Sequence, residues 1–121
     1  LTDLAPLVDA ANVDLKTFSP TAYTRMGGEL ERAKRSIRLL REAGAHVELT
    51  TLVVPGISDN PEEFAAEVDW IAELSPDIPL HLSRYFPAHK FTAPATDVEL
   101  LRQFKATAET RLRHVYLGNV R

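Results

Sequence analysis

Short apolar runs alternate with helical patterns along this chain, and this alternation limits the possible folds more than any other feature. Four runs, residues 11–15, 46–54, 80–86 and 114–117, have the length and two-residue alternation of strands. Between them, apolar residues recur at helical spacing from Leu30 to Leu40, from Phe64 to Ala72 and from Val98 to Leu112. The order strand, helix, strand, helix, strand, helix, strand predicts an α/β fold with parallel strands, as a barrel or an open doubly wound sheet.

Capping signals mark the ends of these helices. Asn60 and Thr96 each stand three residues before a glutamate, which predicts a capping side chain at each position. Gly44 is the expected end of the first long helix. Ser19-Pro20 predicts a further short helix that runs through Met26 and stops at Gly27-Gly28.

The side chains along each strand favour the barrel. One parity of every strand is apolar and the other is polar, whereas a strand buried on both faces of an open sheet would be apolar on both. The polar parity carries Asp14, Lys16, Glu48, Thr50, His81, Ser83, Tyr85, His114 and Tyr116. If the apolar parity faces the helices, these polar groups converge on a polar lumen.

A lumen this polar indicates a wide, partly open barrel around a polar ligand, because closed eight-stranded barrels fill their interiors with aliphatic side chains. Four strands are too few to close a barrel. We therefore expect residues 1–121 to be the C-terminal part of a barrel domain whose missing N-terminal part lies upstream. The alternative is a small four-stranded sheet that is complete as it stands, which would leave Asp14, Glu48 or His81 without partners.

Composition excludes several classes of function. The formal charge is -3, from 14 basic and 17 acidic residues, which gives no electrostatic reason to expect nucleic acid. No apolar run reaches the length of a membrane span. The chain has no cysteine, which excludes disulfides and thiolate metal sites, so a cytoplasmic location is the expectation.

Candidate binding residues lie where the strands end. Asp14 and Lys16 face the same way, as a ligand-binding pair or as a simple strand-end ion pair. Pro55-Gly56 predicts either a close approach to a flat ligand or a plain tight turn. The run from His81 to Lys90 is dense in polar and aromatic groups. A zinc or iron site at His81 and His89 matches no ligand spacing, so no metal site is predicted.

Together these segments resemble a known family. Asn12-Val13-Asp14-Leu15-Lys16, the run from Val47 to Gly56 with Ser58-Asp59, the run from Pro79 to Pro87, and Val115 to Val120 resemble the radical S-adenosylmethionine (radical SAM) enzymes. Within these, the chain looks like the pyruvate formate-lyase-activating-enzyme-like group, in particular its AmmeMemoRadiSam-system branch. The resemblance runs almost end to end and covers the later part of the radical domain.

The resemblance implies a partial barrel of about six β/α units that binds S-adenosylmethionine and a [4Fe-4S] cluster. By resemblance, Asp14 and Lys16 contact the methionine or ribose part of the cofactor. Val53, Val54 and Pro55 lie along the adenine, and His89 approaches the nucleoside. In the family, reductive cleavage of the cofactor gives a radical that abstracts hydrogen from a protein or small-molecule substrate.

Two departures from the family pattern matter. Thr50 stands where the activating enzymes carry an arginine, and the three cluster cysteines are absent. We therefore expect this piece alone to be inactive, with Glu48, Thr50, His81, Ser83 and Tyr85 lining the lumen where a substrate sits. Two alternatives stay open: an aldolase-like barrel with a Schiff base at Lys16, and a cysteine-free binding module or scaffold.

Overall fold

A computed structural model describes residues 10–15, 18, 30–56, 58–86 and 95–118. Their helices and strands follow the predicted order: β1 (Ala10–Asp14), α1 (Leu30–Glu42), β2 (His46–Val53), α2 (Pro61–Leu74), β3 (Leu80–Arg84), α3 (Val98–Glu109) and β4 (Val115–Gly118). The short helix predicted from Ser19 to Met26 lies outside the described residues.

The four strands form one parallel sheet in sequential order, β1-β2-β3-β4. In a doubly wound sheet the strand order reverses, which places helices on both faces. Here the order never reverses, and the inward residues of α1, α2 and α3 all join one hydrophobic cluster with alternate residues of the strands. The three helices therefore cover one face of the sheet, as they do in a β/α barrel.

The core between the helices and the sheet is built from the predicted apolar parity. Val47, Leu49 and Val53 of β2 are fully buried, and so are Leu80 and Leu82 of β3. Phe64 of α2 and Phe104 of α3 stack at 4.3 Å between ring centroids and tie the two helices together.

The helix ends agree with the sequence in two cases and differ in one. Asn60 Oδ1 accepts hydrogen bonds from the backbone of Glu62 and Glu63, and Gly44 follows α1 with a φ of 88°. The prediction of Thr96 as a cap is wrong. Asp97 caps α3 by accepting from the Glu99 N–H, because Thr96 is completely buried and bonded elsewhere.

None of the three described helices covers the opposite face of the sheet. Side chains along β2 alternate between buried and more exposed positions, and Leu52 at its end is 42% exposed. Tyr116 of β4 is 50% exposed. This is the face that the sequence predicts as a polar lumen. Among the described residues, no helix is long and apolar enough to cross a membrane.

Candidate functional site

The lumen face consists of the side chains on the parity opposite the helices. Strand register aligns four of them in one row across the sheet: Asp14, Thr50, His81 and Tyr116. Two residues further toward the carboxyl ends of the strands, Leu52, Ser83 and Gly118 form a second row. Two residues from the first row toward the amino ends of the strands, Asn12 lies beside Glu48. Parallel pairing of the strands thus places polar residues that are far apart in sequence side by side on one face.

A carboxylate between two imidazoles is the centre of the lumen face. Glu48 Oε1 lies 2.6 Å from His81 Nε2, and Glu48 Oε2 lies 3.1 Å from His46 Nε2. The hydrogen bond with His81, followed by that with His46, holds the pKa of Glu48 below its usual value. The carboxylate is therefore ionised at neutral pH and acts only as an acceptor.

An aromatic ring and an amide extend this cluster sideways. The Tyr116 ring stacks on the His81 ring with 5.2 Å between centroids. On the other side, Thr50 donates to Asn12 Oδ1 at 3.0 Å. Asn12, His46 and Glu48 also line an open depression of about 240 Å³ beside β1. Together these side chains form a surface that could bind a ligand.

The turn after β2 is closed by its own side chains. Ser58 Oγ accepts from the Val54 N–H at 2.7 Å and donates to the Leu52 carbonyl at 2.6 Å. Asp59 accepts from the N–H of Gly56, whose φ is 81°. A plain tight turn accounts for these bonds. Val53 belongs to the core and Val54 is buried, whereas Pro55 is half-buried, so Pro55 offers more surface to a ligand than the two valines.

Thr96 joins the carboxyl ends of β2 and β3. Its hydroxyl donates to the Val53 carbonyl and accepts from the Tyr85 N–H, and its backbone carbonyl accepts from Arg84 Nε at 2.7 Å. This role of Thr96 was not predicted from the sequence. Thr96 stands directly before the capping residue Asp97, so from the sequence it resembles a helix cap itself.

A second buried polar group supports β1 from the helix side. Thr51 Oγ1 lies 2.8 Å from Glu67 Oε2 and 3.0 Å from the Leu15 carbonyl. Glu67 is completely enclosed, and burial raises its pKa to about 8. The burial of Glu67 was not predicted from the sequence either, although the residue lies within the apolar stripe of α2, three residues after Phe64.

The structure unites some of the predicted site residues and separates others. Glu48, Thr50, His81 and Ser83 share the lumen face, with Asp14 exposed at the end of β1. Tyr85 follows β3 and is 5% exposed, so it is more enclosed than the other four lumen residues predicted. Lys16 and His89 lie outside the described residues. No three histidine or acidic residues in the described ranges are arranged to hold a metal ion.

No protein-family model matches the chain. Uncharacterized protein MJ0808 of Methanocaldococcus jannaschii is 34% identical over 116 residues, which cover 93% of this chain and 35% of that protein. The chain thus spans about a third of the length of this curated relative.

Two solved structures share the architecture. A domain of pyruvate-formate lyase-activating enzyme from Bacteroides vulgatus matches with a TM-score of 0.80 at 20% identity, over 98% of this chain and 73% of that one. A radical SAM methyltransferase from Sphaerobacter thermophilus matches with a TM-score of 0.63 at 18% identity, over 97% of this chain and 37% of that one. They confirm the predicted fold class and, at the level of the fold, the predicted resemblance.

Proposed function

We propose that this chain, which has the fold of the pyruvate formate-lyase-activating-enzyme-like radical SAM barrel, is the later half of such an enzyme. The observation that carries the proposal is the sequential parallel sheet with helices on one face and a polar lumen on the other. In the whole protein, this half would supply one side of the S-adenosylmethionine site and a wall of the substrate lumen.

The iron-sulfur cluster does not fit this half. The chain contains no cysteine, and the described residues include no alternative group of metal ligands. Thiolates are the usual ligands of [4Fe-4S] clusters. The earlier half of the barrel, which we propose as the partner of this chain, would therefore have to provide the three cysteines.

S-adenosylmethionine fits the carboxyl ends of the strands better. Asp14 presents an exposed carboxylate for an ammonium or ribose hydroxyl group, and exposed Leu52 and half-buried Pro55 present apolar surface for a flat base. Parallel α/β folds place ligands at this end of the sheet. When bound, the cofactor supplies one-electron hydrogen-abstraction chemistry. The contribution of this chain is to bind and orient it.

The test uses the whole protein, with its earlier half and a reconstituted cluster. We expect it to bind S-adenosylmethionine and, with a strong reductant, to form 5′-deoxyadenosine. Asp14→Asn should weaken cofactor binding by about tenfold, the usual order for a lost charge-assisted hydrogen bond.

The matched control is Asp69→Asn, because Asp69 pairs with Arg111 on the helix side of the sheet. It should bind the cofactor as the wild type does. A whole protein that neither binds S-adenosylmethionine nor forms 5′-deoxyadenosine would refute the proposed function. If both variants lost the same affinity for S-adenosylmethionine, Asp14 would have no specific role in binding the cofactor.

A further inference from the structure

The neighbours of His81 determine which of its ring nitrogens carries a proton. The carboxylate of Glu48 only accepts hydrogen bonds, so at 2.6 Å the Nε2 of His81 must be the donor. In the neutral ring the other nitrogen, Nδ1, then carries a lone pair. Within the described ranges, no hydrogen bond to Nδ1 is formed.

This arrangement is one that activates a histidine as a base. A buried or partly buried carboxylate that binds one ring nitrogen fixes the orientation and tautomer of the ring, and it stabilises the positive charge that forms when the other nitrogen takes a proton. The His81 side chain is 35% exposed, so a ligand in the lumen can reach the ring. His46 binds the other oxygen of the same carboxylate and holds it in place.

The surroundings of His81 indicate what kind of molecule would meet it. Tyr116 stacks on the imidazole and keeps half of its own surface open. Leu52 lies in the next row on the neighbouring strand and is similarly open. An apolar or aromatic surface therefore adjoins the histidine, which fits a ligand that carries a donor group on an apolar or aromatic frame.

We propose that His81 accepts a proton at Nδ1 from a hydroxyl group of the substrate, and that Glu48 is the residue that positions it. The O–H bond of the substrate breaks, its electron pair stays on oxygen, and the proton forms a new N–H bond on His81. The resulting imidazolium is paired with the Glu48 carboxylate. The substrate class is a hydroxyl compound with an apolar or aromatic frame that packs on Tyr116. This inference rests on the proposed function, which makes the lumen the substrate site.

The first test is nuclear magnetic resonance of the histidine rings in this chain, labelled with ¹⁵N. We expect His81 to have its proton on Nε2, with a ring N–H signal that is shifted downfield and protected from exchange. Glu48→Gln should move that signal upfield and speed its exchange. His114 is exposed and forms no side-chain ion pair with the described residues, so it serves as the internal control. A His81 proton on Nδ1 in the wild type would overturn the proposal.

The second test uses phenol and its methyl ether, anisole, as a matched pair of probes. Both should perturb the Tyr116 ring, but only phenol should shift the Nδ1 resonance of His81. Glu48→Gln should weaken the phenol effect by about tenfold, while His46→Gln should weaken it less. Equal shifts from both probes, or none from either, would contradict a hydroxyl acceptor at His81.

These outcomes are independent of the cofactor. Neither test contains S-adenosylmethionine or a cluster. If both tests failed, His81 would not have the proposed role as a base, but the proposed function would be unaffected. If the whole protein instead failed to bind the cofactor while both tests succeeded, the hydroxyl site would remain without its proposed reaction.

Discussion

Two glutamates on opposite sides of one strand of the sheet show how much environment determines chemistry. Glu48 lies on the lumen face, where hydrogen bonds from His81 and His46 lower its pKa. Glu67 lies under the same strand on the helix side, where burial raises its pKa to about 8. One group is an anion at neutral pH and the other is a neutral acid, although both begin from the same intrinsic pKa of 4.5.

Replacement of Glu67 by glutamine should stabilise the protein at alkaline pH. Because the folded pKa of Glu67 is raised, its favourable contribution is complete below pH 4.5 and is lost as the pH rises through about 8. Each pKa unit corresponds to about 1.4 kcal/mol. The Glu67→Gln variant keeps a hydrogen bond to Thr51 and should gain roughly 2–4 kcal/mol over the wild type at about pH 8, but little at about pH 5. Urea unfolding at both pH values measures this difference.

The control for this prediction is Glu73→Gln, an exposed position on the same helix. It should change the free energy of unfolding little, and equally at both pH values. A Glu67→Gln variant whose advantage did not grow with pH would show that Glu67 is ionised in the folded protein.

At the scale of the elements, Thr96 holds the ends of β2 and β3 together. Thr96→Val keeps the shape of the side chain but leaves the Val53 carbonyl and the Tyr85 N–H without their buried partner. The expected loss is roughly 1–3 kcal/mol in the free energy of unfolding. Thr107→Val on the exposed surface of α3 is the matched control and should cost little. Equal costs for the two variants would show that the Thr96 hydroxyl adds nothing to stability.

The elements themselves could be predicted from periodicity, and their tertiary bonds could not. Two-residue alternation located all four strands, because one face of each strand packs on helices and the other does not. The cap of α3 was misplaced by one residue, since Thr96 and Asp97 have similar local preferences. The Thr96 hydroxyl donates to the Val53 carbonyl, which leaves Asp97 to cap the helix. Because Val53 is far from Thr96 in sequence, no local pattern reveals this bond.

The candidate site was predictable in the same partial sense. Side-chain parity placed Glu48, Thr50, His81 and Ser83 on one face, which the structure shows. Parity does not give the register between strands, so the pairing of Glu48 with His81 and the stacking on Tyr116 could not be read from the sequence. Asn12 could have been added, because it lies two residues before Asp14 on the same face.

At the scale of the whole molecule, the outer edge of β1 pairs with no other described strand. The Leu15 N–H donates to the Thr50 carbonyl, so alternate residues of β1 bond to β2 and the N–H of Asp14 points to the open edge. If the earlier half of the barrel normally covers this edge, the isolated chain should associate with itself as its concentration rises.

Proline substitutions at adjacent positions can test this edge. Asp14→Pro removes an outward N–H and should reduce self-association, seen by sedimentation velocity, with little effect on unfolding. Val13→Pro removes an inward N–H and should cost roughly 3 kcal/mol or more, because it breaks the ladder to β2. If the wild-type chain stayed monomeric at high concentration, the open edge of β1 would not drive self-association.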